Sequence, residues 1–577
     1  MTPQTIREKM IQVVSRNGGH LASSLGTVEL AIALNESFDS KVDRVVWDVG
    51  HQAYAWKILT GRADDFGSLR MFGGMSGFPN PKESPSDAAI SGHAGSALSV
   101  AAGLAAARDR LGEKHHVVAV VGDASIVNGM SFEALNNVAG ATKRLIVILN
   151  DNEMAISRPT GAFSRVLGRM ISSVRYNRVK AAAKKAGKAL RLGFMYGLVH
   201  GIKTSLKRFF LGDLFFEQFG FAYKGPVDGH NPAALSSALA VAKESSVPVL
   251  IHVVTKKGFG FRPAEAHPTQ WHGVGAFDIA KSENSLYPEK PGGGASEAVD
   301  YSAAFGKALM KLAEADDRVV ALTAAMTDGT GLKNFSKAFP SRFFDVGIAE
   351  EHLMGFAAGL AAAGLKPVVA IYSTFLQRSV DQVIHDIAIM NLPVVICVDR
   401  AGVVGKDGVT HQGLFDIALL RAIPNLTILQ PKDYEDLSKM LSEAIASDGP
   451  VVIRYPRGMG PVYQEVYENK DALLQIWAAG DQIEKANAVA RELGGGVVYA
   501  RSIKPIDSEL LASQRDRGCK IVSLENASVI GGLGDAISAD VKIGYPDEFI
   551  EHGTVEELEK KYSMDVESVI ERLRKNG

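Results

Sequence analysis

Apolar residues along this chain come in short runs, separated by stretches with helical spacing. In the first half the runs cover 45–47, 117–121, 145–149 and 249–254, with helical patterns at 96–107 and 231–242 between them. Runs of this length bounded by turn residues predict strands, and their alternation with helices predicts a mainly parallel sheet covered on both faces. A polar stretch at 282–300 containing Pro-Gly-Gly-Gly reads as the clearest linker. The same alternation resumes with predicted strands at 319–322, 343–345, 366–371, 393–399, 426–430 and 451–454. Residues 461–475 read as a less regular crossing, and a smaller α/β segment follows, with strands near 496–499 and 520–524 and a helix at 566–575. The predicted organisation is an α/β domain at 1–285, a linker at 286–300, a second α/β domain at 301–460 and a smaller C-terminal α/β domain at 461–577. A length of 577 residues is compatible with three or four domains at roughly 150 residues each.

The first chemical signal is carried by the same pattern. The run at 117–121 ends in Gly122-Asp123-Ala124, and the run at 145–149 ends in Asn150-Asp151-Asn152, with a helical segment between them. In a parallel βαβ unit both strands end on one edge of the sheet, so Asp123 and Asn152 can hold a hard cation between them, with a diphosphate on its other side. A helix-capping Asp and an unrelated Asn-Asp turn would produce the same letters. His20, His51 and His93 all lie in glycine-containing turns, which suits a site that handles protons near neutral pH. In the second domain Glu350 follows a predicted strand, where it either favours a helix start or serves chemistry.

Composition narrows the field. Hydrophobic residues make up 46% and charged residues 22%, the balance of a globular protein with sizeable cores. A net charge of −1 favours neither nucleic acid nor an anionic membrane. The locally basic segment 158–208 reads as a solvated helical excursion. Two cysteines, Cys397 and Cys519, suit a reducing compartment, and no run reaches the length of a membrane span. With no secretory signal pattern at the N-terminus, the expectation is a cytoplasmic protein without membrane or nucleic-acid partners.

The strings WDVGHQAY, SGHAGSALS, FEALNN, NDNEMAIS, GPVDGHN, KKGFGF, DVGIAEEH, AIYSTFLQR, DRAGVVGKDGVTHQG and IRYPRG occur in this order along the chain. Together with the Gly-Asp-x…Asn-Asp-Asn turn they resemble the 1-deoxy-D-xylulose-5-phosphate synthase family of the transketolase superfamily. The resemblance implies two thiamine-diphosphate-binding-fold domains and a smaller transketolase-like C-terminal domain. It implies a homodimer, with thiamine diphosphate and Mg²⁺ as cofactors. The implied reaction joins pyruvate to D-glyceraldehyde 3-phosphate with loss of CO₂, feeding isoprenoid, thiamine and pyridoxal precursors.

By the same resemblance, Asp123, Asn152 and the Met154 carbonyl ligate Mg²⁺. Gly92, His93, Ala94, Ala124 and Ser125 approach the diphosphate through the backbone, and His51 and Phe261 line the cofactor. Glu350 bonds the pyrimidine ring nitrogen and Phe375 stacks on its face. Arg378 and Arg457 hold the substrate phosphate. His20, His411, Tyr372, Asp407 and His272 contact substrate or move protons. Three positions depart from the family pattern: Ala124 for Gly, Ala94-Gly95 in a usually Ser-rich string, and Phe261 for Tyr. They leave open a cofactor-binding paralogue without activity. Another thiamine-diphosphate transferase, a transketolase or a pyruvate dehydrogenase component, is the nearest enzymatic alternative. The segments 372–378 and 407–412 favour the synthase.

Overall fold

The computed structural model describes residues 1–152, 213–290 and 300–575. Met154, the basic segment 158–208 and most of the predicted linker therefore lie outside the described residues. The described chain groups into two compact units, Met1–Leu69 with Gly74–Gly294, and Arg70–Gly73 with Ala295–Gly577.

The first unit is built on β1 (Arg44–Trp47), β2 (Val117–Gly122), β3 (Ile146–Asp151), β4 (Ala222–Asp228) and β5 (Val249–Val254), in the order β1-β2-β3-β5-β4. All four pairings are parallel. The central strands β2 and β3 are almost wholly buried, which is why they read as unbroken Val, Ile and Leu rather than as alternation. Strand β4 was not legible in the sequence, because AYKGPVD mixes Lys, Gly and Pro and is half exposed at the sheet edge. The predicted helix at 231–242 forms as Pro232–Lys243. Asn231 caps it by accepting from the Ala234 N–H at 3.1 Å, and Pro stands in its first turn.

The second unit holds two sheets. The larger contains β6 (Val319–Thr323), β7 (Phe343–Asp345), β8 (Lys366–Tyr372), β9 (Val395–Asp399), β10 (Thr427–Leu429) and β11 (Val451–Arg454). The smaller is the parallel sheet β13-β12-β15-β16, made of β12 (Leu474–Ala478), β13 (Gly496–Tyr499), β15 (Lys520–Ser528) and β16 (Val541–Tyr545). A further strand, β14 (Ser502–Lys504), leaves the C-terminal segment to pair antiparallel with β10, giving the larger sheet the order β14-β10-β11-β9-β8-β6-β7. The sequence reading missed β12, β14 and β16. β12 opens within the stretch read as a crossing, and β14 is too short to carry a periodic signal.

One hydrophobic cluster takes Val369, Ile396 and Ile428 from the larger sheet together with Trp477 and Ile521 from the smaller, and Leu533 from the short helix after β15. The second and third predicted domains thus share a core, which places them in one compact unit. Buried Arg454 reinforces the junction. Its Nε donates to Asp416 at 3.0 Å, Nη1 to Gln430 at 2.7 Å and Nη2 to the Asn526 carbonyl on β15 at 3.1 Å. Cys397 and Cys519 are both buried and unpaired with each other. Among the described residues no helix is long and apolar enough to cross a membrane.

Removing the Arg454 guanidinium strands the buried Asp416 carboxylate. Arg454→Met is expected to lower unfolding stability by about 3–5 kcal/mol, read as a fall in urea midpoint at constant slope.

Candidate functional site

The C-terminal edge of the first sheet collects the predicted clamp. The β2–β3 register pairs Gly122 with Asn150, and the Asp123 N–H donates to the Asn150 carbonyl at 3.2 Å. Asp123 and Asn152 therefore emerge side by side from adjacent strands, as the sequence spacing implies. Asp123 is buried; burial, and next the neighbouring Asp151 charge, push its carboxyl up to about 8. A cation supplied beside such a group favours its carboxylate form. Among the described residues no three His, Cys, Asp or Glu side chains converge to hold a metal. One carboxylate and one amide oxygen, with further oxygens from backbone and ligand, suit Mg²⁺, which is usually bound through one or two protein carboxylates and its ligand's phosphates. The donor chemistry of Asp123 and Asn152 thus fits the implied ion.

The loop at 92–96 is held by a residue that sequence reasoning passed over. Asp48, just after β1, accepts the N–H of Gly95 at 3.0 Å and of Ala97 at 3.1 Å. Gly95 has φ +87°, and a Cβ there would lie 2.3 Å from the Asn128 amide oxygen, so this position tolerates only glycine. Ala124 takes no positive φ, so its methyl adds no backbone strain. Ser125 is buried in the same turn and its N–H donates to the Gly122 carbonyl at 3.0 Å. Asn128 caps the helix Gly129–Ala141 that follows. Gly92 is buried, while His93 and Ala94 are partly exposed.

Three predicted histidines meet in this unit. The ring centres of His20, His51 and His272 lie 5.1 to 5.8 Å apart. Burial first, and then neighbouring cationic groups including Lys257, hold His51 and His272 well below the usual imidazole range. Both rings are therefore neutral near pH 7, able to accept a proton or a hydrogen bond. Lys257 is itself buried, and burial pulls its ammonium down to about 8 against the attraction of Asp123. It lies inside the KKGFGF string, where the sequence offered a signal that was not used. Phe261 is buried with its ring edge-on to Trp271 at 5.2 Å.

The second unit positions the remaining residues. Asp345 at the end of β7 accepts from the N–H groups of Ala325 at 2.8 Å and Gly347 at 3.0 Å, and from the Thr327 hydroxyl at 2.7 Å. This fixes the turn that delivers Glu350 to the start of the helix Glu350–Ala362. Glu350 is 4% exposed, and its Oε2 has no hydrogen-bond partner. Burial pushes its carboxyl up to about 7, opposed by the Arg378 charge. A buried acid poised between its two forms, with one oxygen unmet, fits a heterocyclic ring nitrogen that must be bonded.

Around the end of β8, Phe375 stacks on Tyr372 at 5.7 Å and meets His411 edge-on at 5.7 Å. Asp407 accepts from Arg457 at 3.1 Å and from Arg70 at 2.5 Å. The Arg400 guanidinium lies 3.8 Å from the centre of the Tyr372 ring. Burial raises the Tyr372 hydroxyl, while Arg400 and Arg457 act in the opposite sense. The structure therefore gathers Tyr372, Phe375, His411, Asp407 and Arg457 as expected. It sets Arg378 beside Glu350 and places Arg400, not singled out in the sequence, over Tyr372. Arg70 had no local sequence signal at all.

Comparison with known proteins places this chain among its relatives. The family model described as 1-deoxy-D-xylulose-5-phosphate synthase matches residues 2–255, and that of the transketolase pyrimidine-binding domain matches residues 297–462. The chain is 45% identical to 1-deoxy-D-xylulose-5-phosphate synthase from Desulforudis audaxviator, over 98% of this chain and 92% of that one. The synthase from Syntrophotalea carbinolica is 46% identical over 99% of this chain and 93% of that one. The one from Acidobacterium capsulatum is 44% identical over 99% and 94%.

The buried Glu350 makes stability depend on pH. Its carboxyl is raised in the folded state, so its contribution is neutral below about pH 4.5 and grows unfavourable as pH rises towards 7. Glu350→Gln is expected to match the unaltered chain near pH 4 and to exceed it by about 2–3 kcal/mol at pH 8, read from urea unfolding across that range.

Proposed function

The chain belongs to the 1-deoxy-D-xylulose-5-phosphate synthase family, and on that premise we propose that it condenses pyruvate with D-glyceraldehyde 3-phosphate, releasing CO₂ and 1-deoxy-D-xylulose 5-phosphate. The observation that carries the reading is Glu350, a buried acid near 7 with one unmet oxygen. When bound, thiamine diphosphate supplies the nucleophilic carbon and accommodates the electron pair left by decarboxylation.

The chain's own residues bind, orient and move protons. Asp123 and Asn152 would hold Mg²⁺, whose charge would offset that of the diphosphate. The loop at 92–96, whose Gly95 N–H is given to Asp48, and the turn at 122–125 would border the diphosphate. Glu350 bonds the pyrimidine ring nitrogen, and the Arg378 charge limits how far burial raises that acid. Phe375 offers its face to the pyrimidine.

Neutral His51 and His272, with His20 beside them, accept protons or hydrogen bonds from substrate oxygens. Arg400, whose guanidinium lies over the Tyr372 ring, joins Arg378 and Arg457 as a group that can bind the aldehyde's phosphate. Asp407 holds Arg457 in place, and Tyr372 and His411 meet the sugar hydroxyls. A homodimer working in the cytoplasm is the assembly and compartment this reading implies.

The test is incubation with pyruvate, D-glyceraldehyde 3-phosphate, thiamine diphosphate and Mg²⁺, with the product identified by mass spectrometry. Release of CO₂ without a five-carbon phosphosugar would overturn the proposal. Arg400→Met is expected to raise the KM for the aldehyde by about 10- to 100-fold, the worth of a charged hydrogen bond, with the KM for pyruvate much less affected.

A further inference from the structure

Three neighbouring strands of the first sheet each contribute one member to a buried hydrogen-bonded chain that the reaction scheme above leaves unused. The strand order β3-β5-β4 sets Asp151, His252 and Tyr223 in a row. His252 is fully buried and Asp151 is 2% exposed. The His252 Nε2 lies 3.0 Å from an Asp151 carboxylate oxygen, and its Nδ1 lies 2.9 Å from the Tyr223 hydroxyl. A carboxylate can only accept, so Nε2 carries the proton. A neutral ring then accepts at Nδ1 from the tyrosine O–H, and one tautomer satisfies both bonds. Phe216, stacked parallel to Tyr223 at 6.0 Å, steadies the outer end of the chain.

The backbone on either side is pinned as well. The Asp151 carbonyl accepts from the Thr255 N–H at 2.9 Å, and the Asn150 side-chain oxygen accepts from the Thr255 hydroxyl at 2.7 Å. Asp151 directly precedes Asn152, and its charge reaches the buried Asp123 carboxyl on the adjoining strand. Two acidic groups therefore face one sheet edge, while only Asp123 belongs to the proposed ligand set.

We propose that Asp151 is an outer carboxylate of the cation site, strengthening Mg²⁺ binding through space, and that His252 and Tyr223 are positioning residues that hold it there. This rests on the functional reading above. An uncoordinated negative charge beside a cation in a buried setting adds attraction without occupying a coordination position. Outer partners of this type commonly alter metal affinity by about 10- to 100-fold.

Calorimetric titration of the full chain with Mg²⁺, at saturating thiamine diphosphate, tests the inference. Asp151→Asn is expected to weaken Mg²⁺ binding by about tenfold or more. Tyr223→Phe, altered only at the half-buried outer end, is expected to weaken it by about three- to tenfold. His252→Gln keeps an N–H donor for Asp151 and is expected to bind Mg²⁺ more tightly than His252→Leu. A purely structural role would instead lower the melting temperature in Mg²⁺-free buffer; losses of affinity that merely follow such a fall would overturn the inference. So would Asp151→Asn and Tyr223→Phe both binding Mg²⁺ as the unaltered chain does. Absence of Mg²⁺ binding by the unaltered chain would remove the functional reading first, and this inference with it.

Discussion

A carboxyl group taken out of water must be given a proton, a cation or a set of donors, and that requirement governs the functional edges of both large sheets. Asp123 and Glu350 are buried at the ends of the strand-to-helix turns that carry them, and burial is the largest influence on each. Neither is fully compensated by the polypeptide. Asp123 has a second acid beside it and one buried lysine in its field. Glu350 retains an oxygen without a partner. Groups held in this state are a cost to folding and an advantage to binding, because a ligand that supplies the missing charge or bond has no water to displace from them.

The surrounding structure supplies the rigidity that such sites need. Asp48, Asp345 and Asp416 differ from Asp123 in that each is fully engaged. Asp48 accepts from the backbone of the loop at 92–96, Asp345 from two backbone N–H groups and a hydroxyl, and Asp416 from Arg454. These satisfied carboxylates shape turns and join layers, whereas Glu350 keeps an oxygen without a partner. The same distinction separates the arginines. Arg454 is enclosed by four acceptors and serves the fold, whereas Arg457 is exposed and donates to Asp407.

The departures from the family pattern read differently once the backbone is known. Ala124 stands where glycine is usual, but its φ is not positive, so nothing in the turn demands glycine. Gly95 stands where the family tends to have a hydroxyl, yet here glycine is required by its φ and by the Asn128 side chain pressed against it. Phe261 in place of Tyr packs edge-on to Trp271 in the core and leaves no buried hydroxyl to satisfy.

The sequence by itself determined the alternation of strands and helices, the buried central strands and the emergence of Asp123 and Asn152 from adjoining strands. Unbroken apolar runs and strand-ending turns are local properties, and parallel pairing then has only one edge on which to place those ends. It also singled out Glu350, Tyr372, Phe375, Asp407 and His411, through strings that resemble a known family. Only the tertiary structure decided that Arg400 stands over Tyr372, that Arg70 reaches Asp407, and that Asp151, His252 and Tyr223 form one chain. Those relations join residues far apart in sequence, and the short or half-exposed strands β4, β12, β14 and β16 carry too little periodicity to announce themselves. Which buried charge is left unmet depends on what packs against it, and no local pattern of residues encodes that.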